Sequence, residues 1–266
     1  MTNNINNADK FPVFKTIFGS FGIFLDNFRS YLLIGSVFSI IVMAINYLSG
    51  QSLMCGNPMF KEYAICSSNL YVFVIAILVM WFVFCLYARI WGQTVILKKY
   101  KFSIKELVPN KSDLKIYGVL MLFSLSMLIA LISGFLLFVR EPNPNWIIEL
   151  LYFTVVSVGF FAPAFATPLL SYASFVIEGE KLPSIKELWH ASCHRIVLVF
   201  ISFVSVILIS FLVSGSVMRY FMQLSLLDNI FVVVIAEFLY NIVIMFIVSV
   251  YMNYCYMQKK FLFERN

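Results

Sequence analysis

Six long stretches that carry no charge, or only one, govern what this chain can fold into. Ser30 to Phe60, Leu70 to Ala88, Ile116 to Val139, Leu150 to Ile177 and Ile196 to Met218 contain no Asp, Glu, Lys or Arg. A sixth, Ile230 to Met257, is interrupted by Glu237 alone. Each reaches the ~18 to 20 residues that cross a hydrocarbon core as a helix. Lipid offers no partner for a free N–H or C=O, so spanning segments are helices or closed barrels, and these runs are too long and too continuously apolar for barrel strands. The sequence therefore predicts an all-α, polytopic membrane helical bundle. Its six transmembrane helices are expected at roughly Tyr31 to Leu48, Leu70 to Trp91, Ile116 to Phe138, Ile147 to Ala173, Ile196 to Val217 and Ile230 to Tyr251. Composition agrees: 62% of the 266 residues are hydrophobic and 12% charged, against roughly 25% charged in a soluble domain. The polar start MTNNINNADK lacks the charged head, apolar core and cleavage site of a removable signal peptide, so all six spans are expected to persist.

The net charge of +6 reads as a topology signal. With the N-terminus on one side, that side collects 16 of the 19 Lys and Arg residues, and the other side holds only Lys61, Arg140 and Arg219. Short loops rich in Lys and Arg stay cytoplasmic, which predicts both termini inside and an even number of spans. A nucleic-acid partner would need a basic, water-soluble module, and none is present.

The pentapeptide SIKEL occurs twice, at Ser103 to Leu107 and at Ser184 to Leu188. Both copies fit the Ser-x-x-Glu capping box, with Ser103 paired to Glu106 and Ser184 to Glu187, so each is expected to start a helix on the basic side. Pro109 stops the first. The second sets Ile185, Leu188 and Trp189 on one face as an interfacial amphipathic or docking helix. A third such segment opens the chain, where Phe11, Phe14, Phe18, Phe21, Leu25 and Phe28 recur at helical spacing. This stripe reads in two ways, as a helix lying in the membrane interface with Lys15, Asp26 and Arg29 toward water, or as one packed on the inner ends of the bundle. The single membrane domain, 1–266, then divides into three repeat units at 11–100, 101–180 and 181–260. Each has an entry segment, a span, an outer loop and a return span, so any internal symmetry axis runs along the membrane normal.

The stretch FAPAFATPLLSYASFVIEGEKLPSIKELWHASCHRIVLVFISFV and the opening FKTIFGSFGIFLDNFRSYLLIGSVF resemble a broad group of uncharacterised bacterial six-span membrane proteins, which are similar to the membrane domain of glycerophosphodiester phosphodiesterase. That resemblance implies a multi-pass protein of the bacterial cytoplasmic (inner) membrane. The soluble catalytic domain that accompanies some members has no counterpart here, so no active residue is carried over.

Chemistry-bearing residues are few. Glu237 is the one acidic residue well inside a predicted span, with Asn241 one turn on. An ionisable group in the bilayer is costly enough to mark a functional candidate, although a glutamate bonded within the bundle or near water gives the same pattern. Pro163 and Pro168 predict a loosened fourth span, serving either a pathway or packing. His190, Cys193 and His194 have i, i+3, i+4 spacing, but a closed metal site needs a fourth ligand and the chain has no further histidine, so no metal site is assigned. Cys55 and Cys66 share an outer loop and either form a disulfide in an oxidising compartment or remain two thiols. There is no phosphate loop, nucleophile motif or paired intramembrane carboxylate, and no cofactor is expected. The sequence favours a non-enzymatic protein with a structural or envelope-maintenance role, acting through membrane lipids or a protein partner on the cytoplasmic side. The alternative is a transporter or permease subunit whose SIKEL helices dock such a partner.

Overall fold

The computed structural model describes residues 11–56, 69–98, 102–138, 146–224 and 229–263. Its elements are helices α1 (Val13–Asp26), α2 (Phe28–Ser49), α3 (Leu70–Trp91), α4 (Lys111–Phe138), α5 (Trp146–Ala166), α6 (Ser171–Glu178), α7 (Ile185–Ser192), α8 (Ile196–Leu224) and α9 (Ile230–Phe263). Among the described residues there is no strand. Six helical stretches are long and apolar enough to cross a bilayer, so the chain is a multi-pass membrane protein with an all-α bundle fold.

Helix α9 is the hub, packing against α1, α2, α3, α6 and α8. The hydropathy reading ends this span at Tyr251, yet the helix runs on to Phe263. Its 34 residues make about 51 Å of helix, well beyond the ~30 Å hydrocarbon core. The extension is buried by protein: Met252, Tyr254 and Cys255 are fully enclosed, and Asn253, Gln258 and Lys259 are buried beside them. We call this end of the bundle, where α1 begins and α3, α6 and α9 finish, the basic end.

Helix α1 runs antiparallel along that extension. Phe11 meets Phe261 edge-on at 6.3 Å, the Ser20 carbonyl accepts from Asn253 Nδ2 at 2.9 Å, and Phe24 packs edge-on against Phe246 at 4.8 Å. The face turned inward is Thr16, Ile17, Ser20 and Phe24. Thr16 and Ser20 return their hydroxyls to carbonyls four residues back, those of Pro12 and Thr16, so small side chains with satisfied polar atoms seat the helix closely. A Cβ at Gly19 would overlap Met257. The phenylalanine stripe is therefore split: Phe11 is buried, while Phe14, Phe18 and Leu25 are 75%, 70% and 68% exposed and face away from the bundle.

Two glycine caps shape the turns. Gly50 (φ 74°) ends α2 and Gly179 (φ 75°) ends α6, both left-handed. In each, the following residue donates back to the carbonyl five residues earlier, Gln51 to Asn46 and Glu180 to Phe175, a Schellman closure. The first turn carries Ser52 over to α9.

Candidate functional site

At the end of the bundle opposite the basic end, Ser52 Oγ donates to Glu237 Oε2 at 2.6 Å, and the backbone N–H of Leu53 also bonds this carboxyl. Glu237 is 2% exposed. It stands seven residues into α9, about 10 Å along the axis from Ile230. One turn deeper, Asn241 donates its Nδ2 to the Glu237 carbonyl at 3.0 Å and is fully buried. Glu237 Oε1, Asn241 Oδ1 and the Nε2 of Gln51, the neighbour of Ser52, are buried and have no hydrogen-bond partner among the described residues. Beside them is a cavity of about 350 Å³ lined by Ile40, Met43, Ala44, Tyr47 and Leu48 of α2, Val234 and Glu237 of α9, and Ser52 and Met54 of the turn. Apart from the carboxyl and the two hydroxyl-bearing residues, the lining is apolar. Ile40 and Leu48 are more than half exposed, so the crevice opens on the outer, lipid-facing side of the α2–α9 pair.

The prolines lie elsewhere. Pro163 sits within α5, and the helix gives way to a 3-10 turn at Thr167–Leu170. The turn is satisfied internally: Thr167 Oγ1 donates to the Pro163 carbonyl at 2.7 Å, Ser171 Oγ to the Pro168 carbonyl at 2.8 Å, and Gln258 Nε2 of α9 to the Thr167 carbonyl at 3.0 Å. Gln258 is about 32 Å along α9 from Glu237, so the sequence candidates fall in two separate places.

The two SIKEL copies also part company. At the second, Glu187 N–H donates to Ser184 Oγ at 3.2 Å and Ser184 N–H donates to Glu187 Oε2 at 2.6 Å, a complete capping box opening α7. Trp189 stacks on Phe165 of α5 at 6.0 Å and keeps half its surface exposed. The first copy, expected to start a helix in the same way, forms only a 3-10 turn at Ile104–Leu107, with Ser103 Oγ accepting from Lys105 N at 3.4 Å. The Glu106 carboxylate turns instead to Arg89, 3.6 Å away.

Arg89 closes α3 with a guanidinium that is 2% exposed and engaged on every side. Nε donates to Asp113 Oδ1 at 2.6 Å, and Nη2 donates to the carbonyls of Glu106 at 2.8 Å and Val108 at 3.2 Å. Asp113 also caps its own helix, accepting from the Asn110 N–H at 2.7 Å while Asn110 Oδ1 accepts from the N–H groups of Ser112 and Asp113. This reciprocal cap starts α4 at Lys111, five residues before the predicted Ile116.

A second charged cluster ties α9 to α6. Lys259 Nζ lies 2.5 Å from Glu178 Oε2, 2.8 Å from Glu180 Oε2 and 4.6 Å from the centroid of the Phe175 ring. Hydrogen bonding to Lys259 holds the Glu180 carboxyl below the usual carboxylate range.

His190, Cys193 and His194 do not assemble a metal centre: among the described residues no group of three His, Cys, Asp or Glu side chains is placed to hold an ion. Cys55 is disulfide-bonded, and Cys66 lies outside the described residues. Ser52, Arg89 and Asp113 carry no mark in the sequence, because their roles arise from contacts with residues far along the chain. A readable signal existed for α9, where Glu237, Asn241, Ser249 and Asn253 fall on a four-residue file interrupted only by Met245. No protein-family model, curated protein or solved structure matches this chain.

Proposed function

We propose that the chain is a non-enzymatic protein of a bacterial cytoplasmic membrane, with its basic end on the cytoplasmic side, and that it serves envelope maintenance through contacts with lipids and proteins. The observation that carries this reading is the split of α1. Its small-residue face is keyed to α9, while Phe14, Phe18 and Leu25 point outward, with Lys15 and Arg29 exposed on the same helix and at the start of α2. Outward aromatics next to cations suit the boundary between acyl chains and anionic headgroups, where each surface cation contributes about 1 kcal/mol of attraction.

The test is purification in mild detergent with identification of co-purifying lipids and proteins. Anionic lipid enriched over the bulk membrane, and depleted in a Phe14→Ser/Phe18→Ser variant, supports the reading. A lipid profile identical to bulk membrane in both opposes it. A second reading, a permease subunit, draws on the exposed Ile185 and Trp189 of α7, a face that a soluble partner could cover. Recovery of a stoichiometric ATPase in the same purification would favour it.

A further inference from the structure

The crevice beside Glu237 combines features that a purely structural glutamate does not require. One carboxyl oxygen, Oε2, accepts from Ser52 Oγ at 2.6 Å. The other, Oε1, is buried with no donor among the described residues, and so is Oδ1 of Asn241 one turn along the same helix. Side chains four apart on a helix are neighbours, about 5–6 Å between Cβ atoms; of this pair Glu237 lines the crevice, and Asn241 is the next side chain along the helix, outside its lining. A buried polar atom left unpaired is costly. The adjoining space of about 350 Å³ is within the range of pockets that hold small ligands, apolar with a few placed polar groups. It lies near the end of the span, where headgroups meet acyl chains, and opens sideways to lipid.

From this we infer that the α2–α9 crevice binds a membrane amphiphile carrying a primary ammonium headgroup, with the ammonium donating to the Glu237 carboxyl and an acyl segment lying along Ile40, Met43, Ala44 and Leu48. An ammonium has three donors and no acceptor, so it answers the orphan carboxyl oxygen and, by its positive charge, favours the ionised carboxylate. A quaternary ammonium carries the charge but has no N–H to donate. The inference deepens the lipid-contact reading above, but it concerns the opposite end of the bundle and one lipid chemistry.

The experiment places the full chain in nanodiscs of dioleoyl phosphatidylethanolamine or dioleoyl phosphatidylcholine, releases it into the mass spectrometer under native conditions, and counts retained lipids. The wild type is expected to keep one phosphatidylethanolamine with at least a tenfold preference over phosphatidylcholine. Glu237→Gln is expected to erase the preference. Ala44→Trp, which fills the crevice and leaves the carboxyl in place, is expected to eject the lipid. Equal retention of both lipids by the wild type overturns the proposal, and so does a second copy of the chain in place of lipid. That comparison needs no variant, so it stands even where Glu237→Gln fails to fold. If the amine preference is absent while α1 still enriches anionic lipid, this inference fails and the broader reading survives.

Discussion

Trp91 donates its indole N–H to Asn253 Oδ1 at 2.9 Å, and the Nδ2 of the same Asn253 reaches the carbonyl of Ser20 at 2.9 Å. One buried amide thus joins the end of α3, the extension of α9 and the middle of α1. Tyr87 and Ser249 repeat the link a turn away at 2.5 Å, and Tyr254 donates to the Val199 carbonyl of α8 at 2.8 Å. The polar groups of α9 work as a set of keys, each fitted to a different neighbour.

Asn253→Ala is expected to lower stability by about 1–3 kcal/mol, the cost of leaving a buried Trp91 N–H without an acceptor. In a Trp91→Phe background the same substitution should cost less, because no donor is orphaned. Thermal unfolding of the four proteins in one detergent gives the coupling directly. Additive losses would show that the bond contributes little.

Arg89 and Asp113 make a sharper case. Breaking a buried pair costs about 3–5 kcal/mol, and Asp113→Ala leaves the buried Arg89 only the more distant, partly exposed Glu106 carboxylate at 3.6 Å, so it is expected to be among the most damaging single changes at the basic end. Arg89→Met combined with Asp113→Leu should be milder than the sum of the single variants. A double-mutant cycle on unfolding free energies checks this, and zero coupling would contradict the packing described.

Acid should loosen the α6–α9 contact. Glu180 has its carboxyl held below the ordinary range by Lys259, so its contribution is complete above the unfolded carboxylate value, about 4.3, and is lost as pH falls through the lowered folded value. Since Glu180 is half exposed, the contribution should shrink in high salt. Glu180→Gln is expected to flatten the acid limb of a plot of unfolding midpoint against pH. An unchanged limb would remove Glu180 from the account.

The charge alternation makes a prediction about sidedness. Cysteine placed at Lys99 and at Lys181 should be labelled by an impermeant reagent from one side of sealed vesicles, and cysteine at Lys61 from the other. Labelling of the first two from opposite sides would dismantle the topology on which the proposed orientation rests.

The spans were legible because lipid imposes one simple demand, a long run of apolar residues with every backbone group bonded internally. The cap at Ser184 was legible for a similar reason, since Ser-x-x-Glu is a local arrangement. The first SIKEL looked the same on paper. Its outcome differed because Arg89, 17 residues upstream, recruits Glu106 by side chain and carbonyl, while Pro109 and the Asn110 cap end one element and begin the next. Helix α1 shows the opposite limit. Its phenylalanines advertise burial, but in a membrane protein the outside is also apolar, so hydrophobic periodicity finds a helix face without saying which way it points. The inward face was marked instead by Thr16, Gly19 and Ser20, whose small size allows close approach. Of the candidate site, Glu237 and Asn241 were visible as polar residues in an apolar run. Ser52 was not, because the turn at Gly50 brings it across 185 positions.

The great length of α9 has a consequence for biogenesis. During synthesis α9 emerges after every helix it joins, so Ser20, Trp91, Thr167, Glu178 and Val199 wait without their eventual partners until α9 leaves the ribosome. Assembly of the basic end is therefore a closing event, and truncation within the last dozen residues of this helix should release several earlier helices at once.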